Sequence, residues 1–223
     1  MQAGEKRPAI VYFFGGGWKL GTPIQFYREC AYYASKGMVA VSVDYRIGYL
    51  HHSTPFESFE DAKDAICWLR SHASDYQLDP DKIAVAGGSA GGHLAAALGT
   101  IGSDEAVNYR PNLSVLYYPV IDMVSRGYGF PEIKRDFEKI SPIHHVSEAT
   151  PSTLILLGTK DPIVSVETIR SYQDKLLQKG VDCELHLFEG AGHPIFLYRK
   201  PLTEDYYKVR KLTDDFLKRQ GFL

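Results

Sequence analysis

The chain has 223 residues, a length that suits one α/β domain with a sizeable core, and we expect residues 1–223 to form a single domain. Its formal net charge is -2, with both signs spread along the chain, which argues against a nucleic-acid partner or a membrane partner. Three widely spaced cysteines, Cys30, Cys67 and Cys183, argue against a disulfide framework, and no metal-ligand spacing is present.

Strands alternate with helices along the sequence, which predicts a mostly parallel, doubly wound sheet of about six strands with helices on both faces. The predicted strands, in chain order, cover residues 9–14, 38–45, 82–86, 113–120, 153–158 and 183–188. The predicted helices cover residues 25–36, 56–74, a stretch around 94–98, 134–140, 166–179 and 204–219. Gly37 and Gly180 are expected to end two of these helices, and 79–81 is expected to form a turn.

Three glycines follow the first predicted strand, in Gly15-Gly16-Gly17-Trp18. Glycine has no side chain, so such a loop can approach a ligand closely and present bare N–H groups to it.

The central motif is Gly87-Gly88-Ser89-Ala90-Gly91, between a predicted buried strand and a predicted helix. A strand that turns sharply into a helix puts the residue at the turn into a strained conformation. Side chains two positions on either side would collide there, which explains the flanking glycines. The pattern predicts an exposed, nucleophilic Ser89 hydroxyl at the end of a sheet.

Two further candidates follow later strands. In an open α/β sheet, ligands bind beyond the carboxyl ends of the strands, and Asp161 and His193 each follow one such end. We expect His193 to be the general base for Ser89 and Asp161 to hold the imidazole. Asp122, which also follows a strand, is the rival acid, and His93 is expected to be a packed, hydrogen-bonded core residue.

An acyl-transfer site also needs N–H donors aimed at the position where negative charge develops. The expected donors of this oxyanion hole are the backbone amides of Gly16, Gly17 and Ala90.

These motifs together resemble a known family. The segments that carry the resemblance are Phe14-Gly15-Gly16-Gly17-Trp18, Asp44-Tyr45-Arg46, Phe59-Glu60-Asp61-Ala62-Lys63, Gly87 to Leu94, Asp161-Pro162-Ile163-Val164 and Gly192-His193. They are similar to the hormone-sensitive-lipase-like acetyl esterases of the α/β-hydrolase fold, and among these to bacterial carbohydrate esterases that remove acetyl and sometimes feruloyl groups from xylan. The resemblance implies a Ser-His-Asp esterase with no metal and no cofactor.

The sequence departs from that family in two ways. The family usually has His before the three glycines, whereas this chain has Phe14, so we expect a polar support of the loop to be lost. The fold also usually has two strands before the oxyanion strand, and larger relatives add a cap; both are expected to be absent here. Strand 38–45 then becomes an apolar sheet edge, for which we expect a covering segment or a homodimer contact.

An open, capless cleft suits an acyl group carried on a polymer, so the expected substrate is a small ester or an acylated carbohydrate. The candidate substrate-binding aromatics are Trp18, Tyr45, Tyr49 and Tyr128. The alternatives are a feruloyl esterase, a generic short-chain carboxylesterase, a prolyl-oligopeptidase-like serine peptidase, and a non-catalytic binding protein on a hydrolase scaffold.

Overall fold

The computed structural model describes residues 6–102, 109–123, 136–197 and 202–223. Its six strands form one sheet in the order β2-β1-β3-β4-β5-β6, and all five pairings are parallel. The expected α/β sheet is therefore confirmed. The strands are β1 (Arg7–Phe13), β2 (Val39–Val43), β3 (Leu78–Gly88), β4 (Leu113–Tyr117), β5 (Ser152–Gly158) and β6 (Cys183–Phe188).

Helices connect the parallel strands. In the described part of the chain they are α1 (Tyr27–Ser35), α2 (Gly48–His51), α3 (Pro55–Ser71), α4 (Ala90–Thr100), α5 (Phe137–Ile140), α6 (Val166–Gln178) and α7 (Glu204–Arg219). Two short 3-10 helices, Pro23–Phe26 and Pro142–His144, add to these. Because crossovers between parallel strands are right-handed, the reversal of strand order after β2 places α1 on one face and α3, α4 and α6 on the other.

The centre of the sheet is the most deeply buried part of the fold. Every residue of β3 from Ile83 to Gly88 is buried, and so is every residue of α4. A parallel sheet covered on both faces requires such continuous apolar strands. Ala95, Ala96 and Ala97 are among the buried residues of α4, which packs against β3 and β4.

Two element boundaries differ from the sequence prediction. The expected turn at 79–81 lies inside β3, where the register against β1 shifts between Arg7 and Ala9. The amide of Asp81 donates to Asp79 Oδ1 at 3.1 Å, so the turn forms as a bulge in a longer strand. The helix expected over 25–36 begins as a 3-10 helix at Pro23, and its α-helical part starts only at Tyr27.

Strand β2 forms one edge of the described sheet. All five of its residues are half-buried, so the strand is neither fully covered nor clearly exposed. The Ser42 hydroxyl of β2 donates to the carbonyl oxygen of Pro23 at 2.8 Å. This hydrogen bond ties the 3-10 helix to the edge strand.

The two helix-ending glycines expected from the sequence are confirmed. Gly37 and Gly180 have φ of 95° and 73°, as helix-ending glycines require. All three cysteines carry free thiols. Among the described residues, no helix is long and apolar enough to cross a membrane.

Packing of α4 against β1 depends on Gly91. A Cβ atom at Gly91 would lie 2.0 Å from the Phe13 carbonyl oxygen, a backbone atom that cannot move aside locally. We therefore expect Gly91→Ala to lower the free energy of unfolding by more than about 3 kcal/mol, the upper range for overpacked cores. Urea unfolding measures this value. Gly99→Ala is the control, because its nearest contact, at 3.1 Å, is the Pro151 ring. Equal stability of the two variants would contradict the prediction.

Candidate active site

Ser89 occupies a strained turn between β3 and α4. Its φ is 56° and its ψ is -118°, a conformation that side-chain-bearing residues rarely adopt. A Cβ at Gly87 would lie 2.3 Å from the Gly91 carbonyl oxygen, so a side chain at either glycine is excluded. The strain and the collisions expected from the sequence are both present, and the turn holds Ser89 at the carboxyl end of the sheet.

A continuous hydrogen-bonded chain joins the three residues predicted from separate strand ends. The Ser89 hydroxyl lies 2.8 Å from His193 Nε2, and His193 Nδ1 lies 2.7 Å from Asp161 Oδ2. The Asp161 side chain is fully shielded from solvent, whereas the His193 ring is 13% exposed. Since Nδ1 faces a carboxylate, the neutral ring carries its proton on Nδ1 and leaves Nε2 free to accept the serine proton.

The turn after β5 holds Asp161 as a carboxylate. The amides of Ile163 and Val164 donate to its Oδ1 at 2.8 and 2.9 Å. Burial acts to raise the pKa of Asp161, but the hydrogen bonds from His193 and these amides outweigh it and lower the pKa below the ordinary value. The rival Asp122 has its Oδ1 3.9 Å from His144 Nε2 instead.

The loops that carry Asp161 and His193 pack on one another. Gly158, at the end of β5, faces the second loop so closely that a Cβ there would lie 2.3 Å from the Ala191 carbonyl oxygen. The amide of Lys160 donates to that same carbonyl at 2.9 Å. This backbone contact holds the carboxylate and the imidazole at hydrogen-bonding distance.

The three glycines after β1 bend towards Ser89. Gly16 and Gly17 have φ of 147° and 63°, and a Cβ at Gly16 would lie 1.9 Å from the Leu20 carbonyl oxygen. Both glycines line the same cavity as Ser89 and His193, and Ala90 begins α4 directly after Ser89. The three predicted oxyanion donors are thus grouped around the serine.

The peptide group before these glycines is held by two side chains. The Tyr45 hydroxyl donates to the Phe14 carbonyl oxygen at 2.6 Å, and the Gly15 amide donates to Gln25 Oε1 at 2.5 Å. Phe14 itself has no polar side chain to support this loop, and Tyr45 and Gln25 supply polar support from other elements.

Two of the four predicted substrate-binding aromatics are buried. Trp18 and Tyr45 are each only 1% exposed, so neither ring can bind substrate at a rim. Trp18 Nε1 donates to His93 Nδ1 at 3.3 Å, and His93 Nε2 donates to the Ile140 carbonyl at 2.7 Å. His93 is thus the packed core residue that the sequence predicts, and Trp18 ties the glycine loop to it.

The other two aromatics have different positions. Tyr49 is 73% exposed on α2, as a surface aromatic would be. Tyr128 lies outside the described residues, as does the whole of segment 124–135.

The site cavity has a volume of about 360 Å³ and a mainly apolar lining. Sequence reasoning missed several of its lining residues, namely Leu20, Gln25, Tyr118, Ile163, Pro194 and Leu197. Four of these could have been found, since Tyr118 follows β4, Ile163 lies in the Asp161 turn, and Pro194 and Leu197 follow His193. No sequence signal marks Gln25. Among the described lining residues there is no Asp, Glu, Lys or Arg, which favours an uncharged substrate group.

Within the ranges that the structure describes, no group of three or more His, Cys, Asp or Glu side chains could hold a metal ion.

The family model BD-FAE matches residues 1–130, more than half of the chain. The chain belongs to the BD-FAE family. Similar solved structures support an α/β-hydrolase fold for this BD-FAE chain: the propionate-bound thermophilic esterase Est2 of Thermogutta terrifontis is 38% identical with a TM-score of 0.91, covering 100% of this chain and 87% of Est2.

Curated relatives are more distant. The esterase LipC of Mycobacterium tuberculosis is 31% identical over 218 residues, which cover 83% of this chain and 52% of LipC. The acetylxylan esterase of Xylanibacter ruminicola is 26% identical over 218 residues, which cover 88% of this chain and 44% of that enzyme. The chain thus spans about half the length of these curated relatives.

Neutral His93 makes the stability of the fold pH-dependent. Burial lowers the pKa of His93 from 6.5 to about 4, against the opposing effect of its bond to Ile140. The unfolded chain therefore binds a proton that the native chain does not, so the stabilisation is present above pH 6.5 and is lost as pH falls through about 4. We expect His93→Gln to remove about 1.1 kcal/mol per pH unit from the slope of unfolding free energy between pH 6 and 5.

Chemical denaturation at several pH values measures this slope. The control is His52→Gln, which removes an exposed histidine and should leave the slope unchanged. A slope in His93→Gln equal to that of the wild type would show that His93 does not carry the effect.

Proposed function

We propose that the protein is a serine carboxylesterase that hydrolyses short acyl esters. The observation that carries the proposal is the hydrogen-bonded chain from Ser89 through His193 to Asp161 on a strained strand-to-helix turn. Such a chain activates a hydroxyl that is otherwise a weak nucleophile, because the imidazole removes its proton as it attacks. The named relatives and structural neighbours, which are esterases, support the same reaction class.

In the first half of the proposed reaction, Ser89 Oγ attacks the ester carbonyl carbon and passes its proton to His193 Nε2. The carbonyl oxygen becomes an oxyanion, which the amides of Gly16, Gly17 and Ala90 bind. The C–O bond to the alcohol then breaks, and His193 gives its proton to the leaving oxygen. The products of this half are the free alcohol and an acyl group bound to Ser89.

In the second half, water attacks the acyl carbon while His193 Nε2 accepts one water proton. The second tetrahedral oxyanion is bound by the same amides. Its collapse breaks the bond to Ser89 Oγ, which regains a proton from His193, and releases the carboxylic acid. Asp161 keeps its charge throughout and stabilises the imidazolium that forms twice in the cycle.

The cavity lining supports an uncharged acyl group, because no charged side chain is found among its described lining residues. The Est2 structures with bound propionate and butyrate support a short acyl chain.

For the alcohol, we propose an acetylated plant polysaccharide or oligosaccharide such as xylan. The resemblance to hormone-sensitive-lipase-like acetyl esterases and the acetylxylan esterase relative support this assignment. Tyr49, exposed on α2, remains the proposed sugar-contacting aromatic. A feruloyl ester is the alternative, and it requires a wider acyl pocket.

We also propose that two copies of the chain associate through the edge formed by residues 38–45. The support is the half-buried, apolar character of β2 and its position at the edge of the described sheet. An unpaired row of backbone N–H and C=O groups at such an edge can bind a second strand.

Removing each member of the proposed triad tests the reaction. We expect Ser89→Ala to lower kcat by about 10⁶-fold and Asp161→Asn by about 10⁴-fold, as in other serine hydrolases. Asp122→Asn is the matched control and should keep wild-type kcat within about twofold, because Asp122 lies beside His144. Steady-state hydrolysis of p-nitrophenyl acetate measures all three. A wild-type rate in Asp161→Asn with a large loss in Asp122→Asn would reverse the assignment of the acid.

A substrate series tests the acyl and alcohol assignments. We expect kcat/KM for p-nitrophenyl esters to be highest from acetate to butyrate and at least about tenfold lower for octanoate, because the similar esterase Est2 binds propionate and butyrate. Acetate release from acetylated xylan, absent in Ser89→Ala, would support the polysaccharide assignment. Faster release of ferulate than of acetate would instead favour a feruloyl esterase, and activity on chromogenic esters alone would leave a generic carboxylesterase.

A further inference from the structure

The peptide group between Phe14 and Gly15 has both of its polar atoms held by side chains. Its carbonyl oxygen accepts from the Tyr45 hydroxyl at 2.6 Å, and its N–H donates to Gln25 Oε1 at 2.5 Å. We call Tyr45 and Gln25 the peptide clamp. The two residues come from different segments, one just beyond β2 and one from the 3-10 helix before α1, so the clamp exists only in the folded chain.

The clamped peptide lies directly before the proposed oxyanion amides. Gly15 packs against the serine turn: a Cβ there would lie 2.8 Å from the Gly88 carbonyl oxygen and 3.3 Å from Ser89 Cβ. Holding the Phe14–Gly15 peptide plane therefore fixes one end of the segment that carries the next two amides, of Gly16 and Gly17.

Three successive glycines do not hold such a direction by themselves. Glycine adopts many backbone conformations and loses more conformational entropy on ordering than any other residue. N–H donors stabilise a developing oxyanion only when they are already aimed at it, because reorganisation during the reaction costs rate. A clamp on the first peptide of the loop therefore reduces the freedom of the amides that follow.

The Tyr45 half of the clamp is rigid. Tyr45 is buried and stacks on Phe14, with ring centroids 4.1 Å apart and planes 13° apart. Burial raises the pKa of Tyr45 well above its ordinary value, so its hydroxyl keeps the proton that it donates.

The Gln25 side chain, the other half of the clamp, does not hold its own helix in place. The neighbouring Phe26 is buried and stacks on Tyr12, with ring centroids 4.7 Å apart. The backbone N–H of Gln25 donates to the Thr22 carbonyl oxygen at 3.2 Å. These contacts hold the 3-10 helix in place without the Gln25 carboxamide. The carboxamide oxygen instead accepts the hydrogen bond from the Gly15 amide. That side chain also lines the site cavity.

We propose that Gln25, together with Tyr45, is a positioning residue that holds the Phe14–Gly15 peptide and thereby aims the amides of Gly16 and Gly17 at the oxyanion. The inference rests on the proposed esterase function. It also assigns to Gln25 the polar support that His gives, by resemblance, in relatives with His before the three glycines.

Two near-isosteric substitutions test the clamp separately. Gln25→Met removes the acceptor with little change in size, and Tyr45→Phe removes the donor while keeping the stacked ring. We expect each to lower kcat for p-nitrophenyl acetate by about tenfold with KM within twofold, because a misaimed donor weakens transition-state binding more than substrate binding. The double variant should lose little more than either single variant, since both side chains hold the same peptide group.

The controls repeat the same chemical changes away from the site. Gln173→Met removes an amide that donates to the Cys183 carbonyl at 3.3 Å, and Tyr109→Phe removes a hydroxyl that donates to the Ile101 carbonyl at 3.1 Å. Both should keep wild-type kcat. Hydrogen exchange at the Gly15 amide, followed by NMR in the wild type and in Gln25→Met, adds a readout that does not depend on turnover, and exchange should be faster in the variant.

The outcomes separate the two proposals. If the wild type shows ester hydrolysis that Ser89→Ala abolishes, but Gln25→Met keeps kcat within twofold, the clamp is overturned and the esterase function stands. A rise in KM without a fall in kcat would make Gln25 a substrate-binding residue and also overturn the clamp, as would unchanged Gly15 exchange. If the wild type hydrolyses no ester, or if Ser89→Ala keeps the wild-type activity, both the esterase function and the clamp are overturned.

Discussion

The site depends on one close approach of backbone to backbone, where the turn at Ser89 packs on the end of β1. Side chains at Gly87 or Gly91 would collide with carbonyl oxygens 2.3 and 2.0 Å away, and one at Gly15 would collide with Gly88. Because no side chains separate these segments, the glycine loop after β1 and the start of α4 come together around Ser89. The proposed oxyanion donors and nucleophile therefore share one small volume.

Hydrogen bonds and backbone contacts then hold the loops around Ser89 in place. On one side, the backbone contact between Gly158 and Ala191 holds the Asp161 and His193 loops against each other. On the other, Trp18 donates to His93, which in turn donates to Ile140, so the glycine loop is tied to α4 and to the end of α5. Buried polar groups of this kind are costly when unpaired, and each one here satisfies a neighbour.

Residues near the site divide by what their side chains touch. Trp18 and Tyr45 are candidate substrate-binding aromatics by sequence, yet both are buried and make hydrogen bonds that support the glycine loop. The cavity wall comes instead from apolar residues such as Leu20, Ile163 and Leu197. Trp18 and Tyr45 thus stabilise the shape of the site, whereas Tyr118 and the apolar residues line its cavity.

The amino-acid sequence by itself determined the order of strands and helices, the strained turn at Ser89, and the placement of Asp161 and His193 after strand ends. These features are local, since hydrophobic periodicity and glycine position depend on near neighbours in the chain. Only the tertiary structure decided that Asp161 rather than Asp122 reaches His193, that Trp18 and Tyr45 are buried, and that Gln25 binds the Gly15 amide. Those outcomes depend on contacts between segments far apart in sequence, and no local pattern records which side chains the packed sheet will bring together.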